Sequence, residues 1–540
     1  MIALASSFEL EPIAAAVRFW CRRRRLPATV ATAPYGQLAE AVLDPGSVLR
    51  SARPGAVNAL LMRPEDQLRV HEGELGRLRS EPEALAAAAA RLDALASSLI
   101  ATVTDDRTWV LALLPAPADV EEPLRRFGAE QRSTLARRLA GRKAIVTLDV
   151  ERLPARYGVD VVHEPYGDAA AHRPFTAEYC VALGTEVARI AAARLLPPRK
   201  AIVLDCDDTL WAGACGEDGL ERIRVTPGHR ALQEAMLAQQ AAGRLLCVAS
   251  RNAEADVRRA FASLEMPLRF DDLAAHRIGW GAKSQSLRSL AAQLRLGLDS
   301  FVLVDDDPAQ CEEVRTHCSE VEVVQLPREP RAFAAALDRA WCFDVASVTE
   351  EDRLRSARYR VARERSRQIA AAADPEAFLR GLEIVVEIAP LTPADHARAA
   401  QLTQRTNQFN LDARRRSEGE LAAVLRTPGC EGHAVRVRDR LGDYGFVGLL
   451  VTRAAGTRLE VDTFLMSCRV LDRRVEAEML RWLGERAIER GLETIELPLR
   501  RTERNVPAQR FVAAVGGPLL AAADVAACVE RTLPRAAVGG

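Results

Sequence analysis

The stretch AIVLDCDDTLW, residues 201–211, joins four apolar residues to a group of carboxylates. A short apolar run bounded by polar residues predicts a strand buried inside a parallel sheet. Ligands bind where the strands of open α/β sheets end, so Asp205 and Asp207 are predicted to emerge together at a ligand site. Neighbouring carboxylates favour a bound hard cation such as Mg²⁺, which can hold a phosphate beside a nucleophilic carboxylate. The stretch therefore favours phosphoryl chemistry over the alternative that its aspartates merely cap the next helix.

Two further apolar runs carry polar residues at the same end. Residues 245–249 are followed by the motif Ser-Arg-Asn at 250–252, and residues 301–304 are followed by three aspartates at 305–307. Helical patterns separate the runs, and this βαβ alternation predicts an α/β fold with a parallel sheet. Because the carboxyl ends of parallel strands share one edge, the polar ends are predicted to converge in one crevice.

Lysine is rare in this chain, and one lysine lies near the predicted crevice. Arginine supplies almost every positive charge, and the lysines are Lys143, Lys200 and Lys283. An ammonium group is a compact point charge that can bridge a carboxylate and a phosphate oxygen without the planar fork of a guanidinium. Lys283 is therefore predicted to enter the crevice.

Together these residues resemble the motifs of the haloacid dehalogenase phosphatase superfamily, which run DxDxT, Ser/Thr, Lys and a final acidic pair. By that resemblance Asp205 attacks phosphorus, and Asp207 acts as general acid and base. The implied phosphate-binding residues are Thr209, Ser250, Arg251, Asn252 and Lys283. The implied Mg²⁺ ligands are Asp205, Asp207, Asp305 and Asp306.

Other words extend the likeness along the chain. The words CGEDG at 215–219, MPLR at 266–269 and RIGW at 277–280 resemble the FkbH-like branch of the superfamily, as do LTQRTNQFN at 402–410 and LMSCRV at 465–470. The resemblance implies a central haloacid-dehalogenase-like Rossmannoid domain with an α/β domain on each side. The implied domains are an SGNH-hydrolase-like domain at 1–195, the catalytic domain at 196–345 and an acetyltransferase-like (GNAT-type) domain at 346–540.

The same resemblance implies a function. Characterised FkbH-like proteins take a glyceryl unit from 1,3-bisphosphoglycerate, remove phosphate and load the unit onto a phosphopantetheinylated acyl carrier protein for polyketide-type assembly. The implied partners are thus a phosphorylated three-carbon substrate and a separate carrier protein. The alternative is a plain Mg²⁺-dependent small-molecule phosphatase whose flanking domains only select a substrate or partner.

Acyl transfer to a carrier thiol would be helped by a cysteine on the enzyme, because a thiolate is a strong nucleophile. Cys206 lies between the two key aspartates, and Cys215 lies in the loop that would cover the pocket. The loop position favours Cys215, while Cys206 remains the alternative. Both positions are equally compatible with a small apolar filler, as free cysteines often are.

The flanking regions carry weaker signals. In the C-terminal region, Arg405, Asn407, Asn410 and Arg469 are candidates for lining a pocket, with loop anchoring as the alternative. Relatives tend to have glycine at the position of Asp472, so its side chain argues against coenzyme A binding there. In the N-terminal region, Ser6 or Ser7 follows the first predicted strand, where an SGNH nucleophile would lie.

No convincing Asp-x-x-His partner accompanies those serines, because His163 and His172 are both compatible with simple loop positions. The N-terminal domain is therefore predicted to act in docking or as a scaffold.

Composition fits an ordinary enzyme of the cytoplasm. The chain has 540 residues and a formal net charge of zero, so roughly three domains are expected, and nothing favours nucleic acid or an anionic membrane as a partner. No apolar stretch is expected to reach the roughly 18 residues of a membrane span. The 11 cysteines are scattered without a CxxC pair, which predicts reduced thiols rather than a zinc site.

Overall fold

The computed structural model describes residues 1–532, apart from positions 53, 73–74, 105, 118–119, 217–218, 220, 346–380, 441, 468–469 and 472. The described residues form two compact units. The first contains Met1–Leu196 and Ser417–Glu420, and the second contains the remaining described residues. The predicted start of the C-terminal domain at residue 346 lies outside the described residues.

The first unit is an α/β domain. Its strands are β1 Ile2–Ser6, β2 Val30–Thr32, β3 Val57–Met62, β4 Arg69–Glu72, β5 Leu75–Leu78, β6 Thr108–Leu113 and β7 Ile145–Thr147. Its helices are α1 Glu11–Arg23, α2 Leu38–Leu43, α3 Pro82–Thr102, α4 Glu122–Leu139, α5 Leu153–Tyr157, α6 Pro165–Ala171 and α7 Ala177–Leu195. Five strands form a parallel sheet in the order β2-β1-β3-β6-β7. Every residue of β1 and β3 is buried, as expected for the inner strands of a covered parallel sheet.

One helix corrects the expectation about membrane spans. By length and composition alone, α3 is long and apolar enough to cross a membrane. Its apolar character comes largely from alanine, a residue too small and too common in soluble helices to mark a membrane span by itself. One side of α3 packs into the core of the first unit through Ala88, Leu92, Leu95, Ala96 and Leu99. This is also how a core helix of a soluble domain is built.

The second unit begins with another parallel sheet. Its strands are β8 Ala201–Leu204, β9 Leu245–Ser250, β10 Leu273–Ile278, β11 Phe301–Asp305 and β12 Glu322–Gln325. Its helices are α8 Pro227–Ala241, α9 Glu254–Ser263, α10 Lys283–Leu294, α11 Pro308–His317 and α12 Phe333–Arg339. The strand order is β10-β9-β8-β11-β12, and every neighbouring pair is parallel.

Strand β8 is central because it is apolar on both faces. Ile202 and Leu204 belong to one apolar cluster, and Ala201 and Val203 belong to another. All four residues are fully buried. The carboxyl ends of β8, β9 and β11 therefore lie side by side, as the sequence predicted.

Residues 381–532 supply a second, mostly antiparallel sheet. Its strands are β13 Val385–Pro390, β14 Cys430–Asp439, β15 Gly442–Ala455, β16 Arg458–Met466, β17 Thr494–Glu496 and β18 Leu519–Ala521. The helices here are α13 His396–Arg405, α14 Glu418–Leu425, α15 Val475–Glu489, α16 Val506–Ala514 and α17 Val525–Thr532. The strands follow chain order, and β16 and β17 are the pair that runs in parallel.

Candidate active site

Lys283 joins the ends of three strands in the second unit. Its ammonium nitrogen lies 2.5 Å from Oδ1 of Asp205 and 2.9 Å from Oδ2 of Asp305. It also donates to the carbonyl oxygen of Ala249 at 2.8 Å, next to the end of β9. The lysine is 2 % exposed, so these contacts replace its hydration almost completely. The prediction that Lys283 enters the crevice is therefore matched by the geometry.

Three carboxylates share this edge of the sheet. Asp205, Asp305 and Asp306 each place one oxygen within 4.8 Å of the others. Burial raises the pKa of Asp205 to about 7; Lys283 opposes this rise, whereas Asp305 and Asp306 add to it. Burial also raises the pKa of Asp306 to about 6.

This cluster has the donor chemistry that a hard divalent cation prefers. It offers several carboxylate oxygens, and the buried negative charge exceeds what one lysine offsets. The residues present therefore fit Mg²⁺, and Asp205, Asp305 and Asp306 are the side chains that would hold it.

The carboxylate of Asp207 is turned to a different set of partners. Oδ1 accepts hydrogen bonds from the indole nitrogen of Trp211 at 3.0 Å and from the backbone N–H of Cys215 at 3.1 Å. Oδ2 accepts one from the amide of Asn252 at 2.9 Å. The Asp207 side chain thus lies outside the group of three carboxylates, and its role in metal binding stays a prediction.

The other predicted phosphate-binding residues surround the same edge. Thr209 donates to Oδ1 of Asp306 at 2.9 Å, and Asn252 donates to the hydroxyl oxygen of Ser250 at 3.0 Å. Both Ser250 and Asn252 are 4 % exposed. Arg251 stands between them in sequence and is exposed.

Both candidate cysteines are buried thiols. Burial raises the pKa of Cys215 to about 12, and the carboxylate of Asp207 adds to the shift. Burial raises the pKa of Cys206 well above its ordinary value, and Asp205 adds to it. Neither environment favours a thiolate at neutral pH. That Cys215 or Cys206 carries an acyl group stays a prediction.

Sequence patterns assigned no role to two residues that shape this site. Trp211 ends the stretch of carboxylates after β8, and its indole holds Asp207. Glu313 accepts from the backbone N–H of Ser284 at 3.0 Å and from its hydroxyl at 2.5 Å, which fixes the start of the helix that presents Lys283. The tryptophan four residues after Asp207 could have been noticed in the sequence as a possible hydrogen-bond donor to it. Nothing in the sequence near Glu313 indicated its contact with Ser284.

The C-terminal candidates that the structure describes, Arg405, Asn407 and Asn410, make their hydrogen bonds to residues other than Asp205. The carbonyl oxygen of Arg405 accepts from Lys200, which directly precedes β8 and therefore lies at the opposite end of that strand. Asn407 accepts from Arg415 at 3.1 Å, and the backbone oxygen of Asn410 accepts from Asn505 at 3.0 Å. These contacts match the alternative of loop anchoring. Arg469 and Asp472 lie outside the described residues.

In the first unit, a carboxylate separates the candidate serine from a histidine. Ser7 donates to Oδ2 of Asp66 at 2.6 Å, and Nε2 of His172 lies 3.0 Å from Oδ1 of the same group. Despite burial, the neighbouring Arg63 keeps the pKa of Asp66 below its ordinary value. The hydroxyl of Ser6 donates instead to the backbone oxygen of Phe8 at 2.5 Å.

His172 is therefore not placed to take a proton from Ser7, and Asp66 is a weak base. The SGNH likeness of this unit and its docking role stay predictions.

Comparison with known proteins supports the fold. No protein-family model matches the chain, and no curated protein matches it. Among solved structures, the N-terminal part of the protein BF1531 from Bacteroides fragilis, which contains a phosphatase domain and is complexed with Mg, is similar with a TM-score of 0.54. The identity is 21 %, and the match covers 64 % of this chain and 94 % of that chain. At this identity the likeness shows a shared fold over the matched part of the chain.

Two acetyltransferases also match over shorter parts of the chain. The ribosomal-protein-S18-alanine N-acetyltransferase from Escherichia coli is 15 % identical, with a TM-score of 0.20 over 24 % of this chain and 77 % of that chain. An acetyltransferase from T. thermophilus is 18 % identical, with a TM-score of 0.21 over 27 % of this chain and 93 % of that chain. These scores support no conclusion about activity.

Proposed function

We propose that this protein is a Mg²⁺-dependent phosphatase of the haloacid dehalogenase type, located in the cytoplasm, with Asp205 as its nucleophile. The observation that carries the proposal is the contact of Lys283 with both Asp205 and Asp305, at the carboxyl edge of a parallel sheet. A buried ammonium beside a carboxylate reduces the repulsion that an incoming phosphate would meet. The Mg-complexed phosphatase-domain protein with a similar fold adds support.

The chemistry proceeds in two displacements. An oxygen of Asp205 attacks phosphorus, the bond to the leaving oxygen breaks, and that oxygen takes a proton from Asp207 where its basicity requires one. Water then attacks the aspartyl phosphate, its proton passes to Asp207, and inorganic phosphate leaves as Asp205 is restored. Mg²⁺, when bound, offsets the charge of the phosphate oxygens. Lys283 orients the phosphate together with Ser250 and its neighbours Arg251 and Asn252.

The substrate in this proposal is 1,3-bisphosphoglycerate, and the product is a glyceryl unit on an acyl carrier protein. The likeness of the words at 215–219, 277–280 and 402–410 to the FkbH-like branch supports this choice. In the loading step a thiol sulfur attacks the acyl phosphate carbonyl, the carbon–oxygen bond breaks, and phosphate leaves. Aspartyl chemistry then removes the remaining phosphate ester. Cys215, or alternatively Cys206, would hold the acyl group before the phosphopantetheine thiol of the carrier takes it.

Intact-protein mass spectrometry tests the proposal. The protein is mixed with Mg²⁺, 1,3-bisphosphoglycerate generated in situ and a phosphopantetheinylated carrier protein, while released phosphate is measured in parallel. A glyceryl adduct on the carrier with phosphate release supports the full proposal. Phosphate release without an adduct favours the plain phosphatase. Absence of phosphate release from this and other small phosphorylated metabolites would overturn the phosphatase assignment.

A further inference from the structure

Asp207 is held by donors from two segments of the chain, residues 211–215 after β8 and residue 252 after β9. We infer that Trp211 and Asn252 are positioning residues, which fix the Asp207 carboxylate for the second displacement, the hydrolysis of phosphorylated Asp205. The inference rests on the proposed phosphatase function and adds to it the residues that control one of its two steps.

The contacts around Asp207 satisfy both of its oxygens. Trp211 and the backbone N–H of Cys215 donate to Oδ1, and Asn252 donates to Oδ2. All three donors are N–H groups. N–H donors on both oxygens hold the carboxylate in one orientation.

The donors are themselves immobilised by their surroundings. The Trp211 side chain is fully buried and meets the ring of Phe261 edge-on at a centroid distance of 5.6 Å. Asn252 is 4 % exposed and also donates to Ser250. A side chain locked by packing and a second hydrogen bond holds its partner in one orientation at little entropic cost.

This arrangement predicts which step suffers when a donor is lost. With p-nitrophenyl phosphate, whose leaving oxygen needs no proton, formation of the aspartyl phosphate depends on Asp205 and Lys283, and neither hydrogen-bonds to Trp211 or Asn252 among the described residues. Hydrolysis of that intermediate needs a carboxylate aimed at the attacking water. Loss of a donor should therefore slow hydrolysis and let the phosphorylated enzyme accumulate.

The first experiment tests the contact without turnover. The chain has six tryptophans, so indole ¹⁵N–¹H spectra of the full-length protein contain few signals, and Trp211→Phe assigns the one of interest. Asp207→Ala should move the Trp211 signal upfield by removing its acceptor, and should leave the Trp20 signal in place. An unmoved Trp211 signal would overturn the inference.

The second experiment tests the role in the reaction. With p-nitrophenyl phosphate as substrate, Trp211→Phe and Asn252→Ala should each lower kcat about 10-fold, a fraction of what a whole general base contributes. For Trp211→Phe, which lies outside the predicted phosphate-binding residues, KM should fall with kcat, and kcat/KM should stay within about twofold because it reports formation of the aspartyl phosphate. Acid-quenched intact mass should show more phosphorylated enzyme than wild type. The matched control is Trp20→Phe, which also loses an indole hydrogen bond, to Thr185 at 2.9 Å in the first unit.

The outcomes separate the inference from the proposed function. Active wild type together with Trp211→Phe and Asn252→Ala variants that match the Trp20→Phe control in kcat and phosphoenzyme level would overturn the inference alone. Wild type that neither forms phosphoenzyme nor releases phosphate would overturn the proposed function, and the positioning role with it.

Discussion

The ammonium nitrogen of Lys283 lies 2.5 Å from the Asp205 carboxylate, although 78 residues separate them in the chain. The contact forms because β8 and the start of α10 meet at one edge of a parallel sheet. It is buried, so the two charges depend on each other more strongly than a surface pair would.

Replacing Asp205 by asparagine should lower the rate of phosphate release by a factor on the order of 1,000 or more, because an amide cannot serve as the nucleophile. Phosphate release by a continuous assay measures this, and circular dichroism checks the fold. Asp208→Asn is the matched control: Asp208 is exposed, adopts a positive φ of 50° that asparagine tolerates, and should keep its activity. An Asp205→Asn variant with wild-type release would disprove the assignment.

Replacing Lys283 by methionine should destabilise the protein by about 3–5 kcal/mol at pH 8, because two buried carboxylates lose their counter-charge. Urea unfolding measures the loss. Lys143→Met is the control, since Lys143 is exposed and such changes cost less than about 0.5 kcal/mol. Adding Asp205→Asn to the Lys283→Met variant should recover part of the stability. Equal stability of the two lysine variants would contradict the role given to this contact.

Without Mg²⁺, Asp205 and Asp306 together should contribute a part of the stability that is lost as the pH rises from about 4 to about 7. The pKa values of Asp205 and Asp306 are raised to about 7 and about 6 from an ordinary 3.8, so the folded state binds protons more tightly than the unfolded state. That contribution is complete below the ordinary value and is lost as pH passes the raised values. Melting temperatures measured in chelator should show it as a difference: the advantage of wild type over Asp306→Asn should shrink as the pH rises over this range. A difference that stays constant or grows with pH would contradict the expectation.

Cys215→Ala should lower carrier loading more than phosphate release, if the thiol holds the acyl group. The backbone N–H that reaches Asp207 remains in this variant, so phosphate release should stay within about twofold of wild type. Intact mass of the carrier and a phosphate assay measure the two steps separately. Loading that survives Cys215→Ala but stops in Cys206→Ala would move the role to Cys206.

Ser7→Ala should leave phosphate release unchanged and should cost about 2 kcal/mol of stability, because the Ser7 hydroxyl donates to Asp66 and accepts from the backbone N–H of Arg63, and each hydrogen bond is worth about 1 kcal/mol. The reason is that Ser7 faces Asp66, whose pKa is held below its ordinary value, rather than a neutral histidine. A fluorophosphonate probe should not label the wild-type protein at this serine. Labelling at Ser7 would show an activated nucleophile and would contradict the scaffold interpretation.

Local sequence patterns were sufficient to predict most of the five-stranded parallel sheet of the second unit. The four consecutive apolar residues before Asp205 predicted a strand covered on both faces. The apolar runs before Ser250 and Asp305 predicted strands of the same kind, and all three are buried strands in the structure. The rarity of lysine was enough to single out Lys283. Each of these signals lies within a few residues of the chain, where backbone periodicity dictates burial.

Patterns of this kind were weaker where a side chain chooses between partners. Asp205 and Asp207 were both implied as Mg²⁺ ligands by the sequence, yet of the two it is Asp205 that joins the carboxylates of Asp305 and Asp306. Likewise, the polar word around Arg405 and Asn407 was compatible with a pocket or with an anchor, and the contact of Arg405 with Lys200 depends on a partner 205 residues away. The composition of the alanine-rich α3 was similarly compatible with a core helix and with a membrane span, and in the structure one side of this helix packs into the core of the first unit.

The sequence by itself thus determined the strands, their polar ends and the set of residues available for phosphoryl chemistry, because burial follows from the order of apolar and polar residues. Tertiary structure alone decided which of those residues contact one another. Asn252, 45 residues away, and the buried indole of Trp211 hold Asp207 outside the group formed by Asp205, Asp305 and Asp306. The orientation of a carboxylate depends on which donors packing brings to it, and that information is distributed over distant parts of the chain.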